Sequence, residues 1–188
     1  IPKPEFNRFT KPYHRDEFLS RSWNVPGTSG FIHQIGGLEK QGDEGRVSYD
    51  AENHQKMVIT RAEKIKGIAR DYPALVLEGD MTAPTLVIGW GSTFGSLKSA
   101  VQQCLEQGLP VAYLHLRHLN PLPDDLGSLL KKYDKVLVAE LNSGQLCQLI
   151  RAVYLVDAQS ISQCNGQPFS VNHLVSAIKA EANYEQQL

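Results

Sequence analysis

The sequence predicts an α/β fold: a mainly parallel sheet between two layers of helices (three-layer α/β/α), preceded by an irregular arm and one helix. Three observations carry this. From Thr85 onward, short apolar runs alternate with amphipathic stripes at helical spacing. The runs are continuously apolar, as expected of strands covered on both faces. The segments between them are short and rich in glycine and proline, which suits right-handed crossovers in a small layered domain. The predicted organisation is an extended arm with a glycine-rich loop over residues 1–49, a helix and connection over 50–83, and the α/β domain over 84–188.

Each element has its own signal. The arm has no periodicity, is punctuated by Pro2, Pro4, Pro12 and Pro26, and carries Phe6, Phe9, Tyr13, Phe18, Trp23 and Phe31. Proline removes donors and fixes φ, so the arm is read as extended, and its aromatics as packing against something. Between Pro26 and Tyr49 lies a long charged loop, permissive through Gly27, Gly30, Gly36, Gly37, Gly42 and Gly45. Long loops without structure of their own are usually covers or linkers. Asp50 is a good N-cap, Glu52 suits the first helical turn, and Val58, Ala62, Ile65 and Ala69 form one stripe. TLVIGW (85–90), VAYLHL (111–116) and KVLVAE (135–140) are predicted strands, and the more polar QSISQC (159–164) an edge strand. Helices are expected from the stripes Leu97–Leu105, Leu126–Leu130 and Leu146–Val153, and a last one capped by Ser170 with Leu174, Val175 and Ile178 buried.

Composition narrows the function classes. Of the 188 residues, 41% are hydrophobic and 21% charged, ordinary for a globular chain with a sizeable core. A formal net charge of −1 gives no broad attraction to nucleic acid or an anionic membrane, so neither is an expected partner. No apolar run approaches the roughly 20 residues of a membrane span, and no signal-peptide pattern opens the chain. Cys104, Cys147 and Cys164, odd in number and without a CxxC pair, fit a reduced, cytoplasmic setting. The start at Ile1 inside a proline-rich arm reads as a cut within a longer polypeptide.

Several residues are chemically suggestive. The turn Gly89-Trp90-Gly91-Ser92-Thr93-Phe94-Gly95 follows the first strand, where glycines can bring backbone N–H groups to a phosphate. Its spacing is GxGxxxG rather than GxGxxG, and the second strand ends at Leu116-Arg117 without an acid for a ribose hydroxyl. It reads as a plain strand-to-helix turn, with a free-standing dinucleotide-binding module as the alternative. His115 reads as a structural histidine. No HxH or HExxH grouping exists, so no metal site is expected. Asn120-Pro121 and Asn142 to Gln145 follow the second and third strands at the carboxyl edge of the sheet, where open parallel sheets bind ligands or partners.

Three segments in order carry a resemblance. Pro26-Gly27-Thr28 through Gly36-Gly37-Leu38-Glu39, followed by Asp50-x-Glu52-Asn53-His54-x-x-Met57, resembles the alpha subunits of the 2-oxoacid:ferredoxin oxidoreductases, the 2-oxoglutarate enzymes above all. LRHLNPLP (116–123) with KVLVAELNSGQL (135–146), and Gly166-Gln167-Pro168-Phe169, look like the same family's later signatures. The domain from Thr85 is similar to the C-terminal domain of transketolase and of the pyruvate dehydrogenase E1 beta chain. The resemblance implies oxidative decarboxylation of a 2-oxoacid, with 2-oxoglutarate the expected one, on thiamine diphosphate with magnesium. Electrons would pass through iron–sulfur clusters to ferredoxin, and an acyl-CoA would be released. It implies partners in the upstream domains of the same chain and a beta subunit, with no catalytic residue, cofactor or cluster cysteine in this fragment, which would be inactive alone and serve to dock subunits. It places Gly36, Gly37, Leu38 and Glu39 near the entrance for substrate and CoA. His33 and Arg46 are added because they suit anionic carboxylate or phosphate groups. Asn120, Pro121, Asn142 and Gln145 are the expected interface.

Overall fold

The apolar runs that begin at Thr85 form a five-stranded sheet in the computed structural model, which describes residues 11–29 and 32–182. Of the arm residues singled out above, Pro2, Pro4, Phe6, Phe9, Gly30 and Phe31 lie outside the described residues. The chain divides into two compact units, Ile1–Asp71 and Tyr72–Leu188.

In the second unit the strands are β3 (Leu77–Gly79), β4 (Thr85–Trp90), β5 (Ala112–Leu116), β6 (Lys135–Glu140) and β7 (Ala158–Ser162). For the first unit, β1 (Lys40–Gln41) and β2 (Arg46–Val47) precede them. The sheet order is β3-β5-β4-β6-β7; β4 pairs in parallel with β5 and β6, and β6 with β7, while β3 lies antiparallel on β5. Successive strand residues point to opposite faces. Val87, Tyr113, Leu137 and Ile161 therefore meet α2 (Phe94–Glu106) and α5 (Val171–Glu181) on one side. Leu86, Ile88, Leu114 and Val138 meet α3 (Leu126–Leu130) and α4 (Gln145–Tyr154) on the other. Leu86, Val87 and Ile88 are wholly buried, which explains the unbroken apolar run; each such side chain contributes about 1.5–3 kcal/mol by leaving water. This is the three-layer α/β/α arrangement expected. The polar strand β7 lies at the sheet edge, and Ser170 caps α5 by accepting from the His173 N–H at 3.1 Å, both as expected.

Two expectations change in this unit. β3, in the sequence LEG, carries neither alternation nor an apolar run, so the connection before Thr85 gave no strand signal. The predicted α4 stripe is half outward: Leu146 and Ile150 are buried, while Leu149 and Val153 are exposed.

The first unit contains a hairpin where the sequence suggested a loop without structure of its own. β1 and β2 pair antiparallel, Lys40 opposite Val47 and Gln41 opposite Arg46. The turn between them depends on Gly45 at φ +73°, where a Cβ would stand 2.0 Å from the Tyr13 ring. The Tyr13 N–H donates to the Asp43 carbonyl at 2.8 Å, and Lys11 pairs with Glu44 at 2.6 Å. Tyr13 thus packs on the hairpin as the arm's aromatics were expected to do, whereas Phe18 and Trp23 are exposed. Helix α1 (Ala51–Gly67) begins as read: the Asp50 carboxylate accepts from the Asn53 N–H at 2.7 Å. Its stripe is not buried. No residue of α1 is, and Val58 and Ile65 remain 43% exposed, with Ala69 of the following 3-10 turn the one member covered. Periodicity identifies the face a helix would bury, not whether a layer is supplied to bury it.

Candidate functional site

The loop Gly36–Glu39 is held by its own neighbours. Lys40 is buried, and its ammonium folds back to donate to the carbonyls of Gly36 at 2.7 Å and of Leu38. A buried ammonium needs such acceptors, and here they fix the loop's path. Glu39 is clamped from α1: its Oε2 meets His54 Nδ1 at 2.6 Å, and its Oε1 accepts from Arg61 Nη1 at 3.0 Å. The His54 and Arg61 hydrogen bonds hold the Glu39 carboxyl below its ordinary range.

This loop walls a cavity of about 450 Å³ in the first unit, closed by Tyr13, Arg15 and Arg21 from the arm and by Met57 and Arg61 from α1. Three guanidinium groups and one carboxylate line it, and that carboxylate is shared between Arg61 and His54. Arg15 Nη1 donates to the Leu19 carbonyl at 2.7 Å. Arg21 donates to the Pro12 carbonyl through Nε at 3.3 Å and Nη2 at 3.2 Å, and its guanidinium lies 3.7 Å from the centre of the Tyr13 ring. Neither arginine has a carboxylate partner among the described residues. Burial, and then the nearby Arg21 and Arg61 cations, push the Arg15 pKa down. Such a cluster is relieved by an anion, and arginine forks suit carboxylate and phosphate.

The expected residues fall in different places. Gly36, Gly37, Leu38 and Glu39 line the arginine cavity. His33 does not; it borders a neighbouring cavity of about 310 Å³ and meets Tyr13 edge-on at 6.2 Å. Arg46 sits exposed in β2, outside both linings. Asn120 is exposed, Pro121 follows it through a cis peptide bond, and Gln145 is exposed at the start of α4. The Asn142 side chain is committed to its own loop, its Oδ1 accepting from the N–H groups of Gly144 at 2.8 Å and Gln145 at 3.3 Å. Sequence reasoning missed Arg15 and Arg21 as site residues. The one signal was a pair of arginines inside the proline-bounded stretch Pro12–Pro26, beside Tyr13, Phe18 and Trp23. It also missed Glu140, which is wholly buried and accepts from the N–H groups of Leu146 at 2.9 Å and Cys147 at 3.0 Å, closing the first turn of α4.

The turn after β4 is filled from within. Thr93 Oγ1 accepts from the Trp90 N–H at 3.1 Å and donates to the Trp90 carbonyl at 2.9 Å. A Cβ at Gly89 would lie 2.2 Å from Leu97 Cδ1, so that glycine lets α2 approach the strand. These contacts are those of a plain turn, and the dinucleotide-binding alternative gains nothing from them. His115 shares a hydrogen bond with the Tyr113 hydroxyl at 2.9 Å, as a structural histidine should. Cys104 and Cys147 are buried in the clusters on opposite faces of the sheet and Cys164 is exposed, so the three do not fit a shared iron–sulfur cluster. No group of three or more metal-ligating side chains occurs among the described residues, and no helix among them is long and apolar enough to cross a membrane.

Residues 83–174 match the family model described as pyruvate:ferredoxin oxidoreductase core domain II. The 2-oxoglutarate oxidoreductase subunit KorA of Mycobacterium tuberculosis is 44% identical over 174 residues, 90% of this chain and 26% of its own length. The 2-oxoglutarate synthase subunit KorA of Methanocaldococcus jannaschii is 32% identical over 163 residues, 82% of this chain and 43% of its own. Among solved structures, the 2-oxoglutarate:ferredoxin oxidoreductase from Magnetococcus marinus, with 2-oxoglutarate, coenzyme A and succinyl-CoA bound, superposes with a TM-score of 0.79 at 31% identity. That match covers 90% of this chain and 30% of the other. The chain therefore spans 26–43% of the length of these relatives. The likeness nonetheless runs through both units, and the chain belongs to the alpha-subunit family of the 2-oxoacid:ferredoxin oxidoreductases, to the C-terminal region of those subunits.

Proposed function

We propose that this chain serves within a complete 2-oxoacid:ferredoxin oxidoreductase that oxidatively decarboxylates 2-oxoglutarate to an acyl-CoA, and that its arginine cavity receives an anionic group of the oxoacid or of CoA. The observation carrying this is the convergence of Arg15, Arg21 and Arg61 on the loop Gly36–Glu39, with one carboxylate among three guanidinium groups. The Magnetococcus marinus relative supports the choice of ligands, since it binds 2-oxoglutarate, coenzyme A and succinyl-CoA. The sheet unit has the part of a scaffold that docks onto the beta subunit and the upstream domains, with Asn120, Pro121 and the loop Asn142–Gln145 at its carboxyl edge. Thiamine diphosphate, magnesium and the iron–sulfur cluster belong, on this reading, to those other parts, and ferredoxin to the complete enzyme. The described cysteines do not fit a cluster.

The test is steady-state kinetics of the complete enzyme carrying Arg21→Met or Arg61→Met, varying 2-oxoglutarate and CoA separately. Loss of one charge-assisted contact, about 1.5–3 kcal/mol, raises KM for one of the two substrates roughly tenfold or more with a smaller change in kcat. Unchanged KM for both substrates in both variants would remove the proposal.

A further inference from the structure

We propose that the sheet unit carries a second small-molecule site, formed by the end of β5 and the segment leading into β3, which takes a flat, singly charged anion such as an aromatic carboxylate. The cavity there measures about 450 Å³, within the usual range for small-ligand sites, and is lined wholly by residues of the unit Tyr72–Leu188. It is independent of the arginine cavity and of the proposed function.

Its walls divide by chemistry. Tyr72 and His118 stack face to face, with ring centres 4.0 Å apart and planes 12° from parallel. Phe94 presents a partly exposed ring, and its contact with His115 is edge-on at 5.0 Å and 74°. Val76 and Pro123 add aliphatic surface. A planar ring can lie against such surfaces, because aromatic rings favour offset or edge-on partners.

The charges select one anionic group. Glu78 is met by Lys98 at 2.8 Å, so that acid is already paired. His115 is engaged by the Tyr113 hydroxyl at 2.9 Å; burial, and next the Arg117 cation, push it toward its neutral form. Arg117 lines the same cavity and has no ion pair among the described residues. One available guanidinium beside aromatic walls calls for one carboxylate on a ring, since the planar fork matches a carboxylate through two parallel hydrogen bonds. A compact dianion would satisfy the charge and leave the aromatic surface unused. A neutral ring would do the reverse.

Isothermal titration calorimetry of the complete enzyme with benzoate, benzamide and inorganic phosphate distinguishes these cases. Benzoate is expected to bind at least tenfold tighter than benzamide, and phosphate is expected not to displace it. Arg117→Met should weaken benzoate tenfold or more, while Arg21→Met, in the other unit, should leave it unchanged. The proposal is overturned if benzoate shows no saturable binding, if phosphate competes as well as a second aromatic carboxylate does, or if Arg21→Met rather than Arg117→Met removes the binding. Competition on the unaltered protein gives a reading that needs no variant: benzoate at this site is not displaced by 2-oxoglutarate or CoA, and displacement by either would overturn the proposal.

Discussion

At the scale of single residues, two buried or half-buried acids govern loop geometry in the two units. Glu140 satisfies two N–H groups of α4 that no other group reaches among the described residues. Glu140→Ala leaves both buried and unpaired, at about 3 kcal/mol, whereas Glu140→Gln retains an acceptor and loses less. Chemical denaturation with the two variants side by side measures this; equal midpoints for Ala and Gln would contradict the role given to the carboxylate. Glu39 titrates below an ordinary carboxylate because of His54 and Arg61. A group whose pKa is depressed by folding stabilises the fold above its unfolded value and loses that contribution as pH falls through the folded one. The first unit should therefore loosen below about pH 4.5, the ordinary carboxyl value, and Glu39→Gln should flatten that dependence. Hydrogen exchange of the loop amides between pH 6 and pH 3 reads it, and parallel profiles for both proteins would refute it. Local roles such as the caps Asp50 and Ser170 were legible because a cap is defined within four residues of sequence. The roles of Arg15 and Arg21 were not, because the loop Gly36–Glu39 and Arg61 that share their cavity come near only in the folded chain, and that of Glu140 was not, because its partners lie beyond the turn after its own strand.

Elements show the same division. The strands β4, β5 and β6 were readable as unbroken apolar runs, since both faces of each are covered. β3 and the hairpin β1/β2 were not, because two or three residues are too few to show a period and their signals are a Gly at positive φ and a partner strand elsewhere. Gly45→Ala should disrupt the hairpin, since it brings both a strained φ and a clash with Tyr13. Faster exchange of the Tyr13 amide would register it, and unchanged protection would show that the contact does not hold the arm. Helix α1 makes a complementary case. Ile65→Ala, on its exposed stripe, should cost less than about 1 kcal/mol, whereas Leu137→Ala in the sheet core should cost about 2–5 kcal/mol. Comparable losses would mean that the stripe is covered after all.

At the scale of the whole molecule, the α/β layering follows from patterning alone, because alternation of buried strands with amphipathic stripes leaves few other arrangements. The proposed site does not follow from patterning. Its loop was reached through a resemblance in Gly36-Gly37-Leu38-Glu39, while the arginines that give the loop its chemistry come from an arm without periodicity. The family is fixed for this chain, and the reaction of the protein it serves in is the central proposal. Its most direct test is the reduction of ferredoxin by the purified complete complex supplied with 2-oxoglutarate and CoA. The expected result is reduction that requires both compounds and yields succinyl-CoA; a complex that reduces ferredoxin with neither 2-oxoglutarate nor any other 2-oxoacid would contradict it.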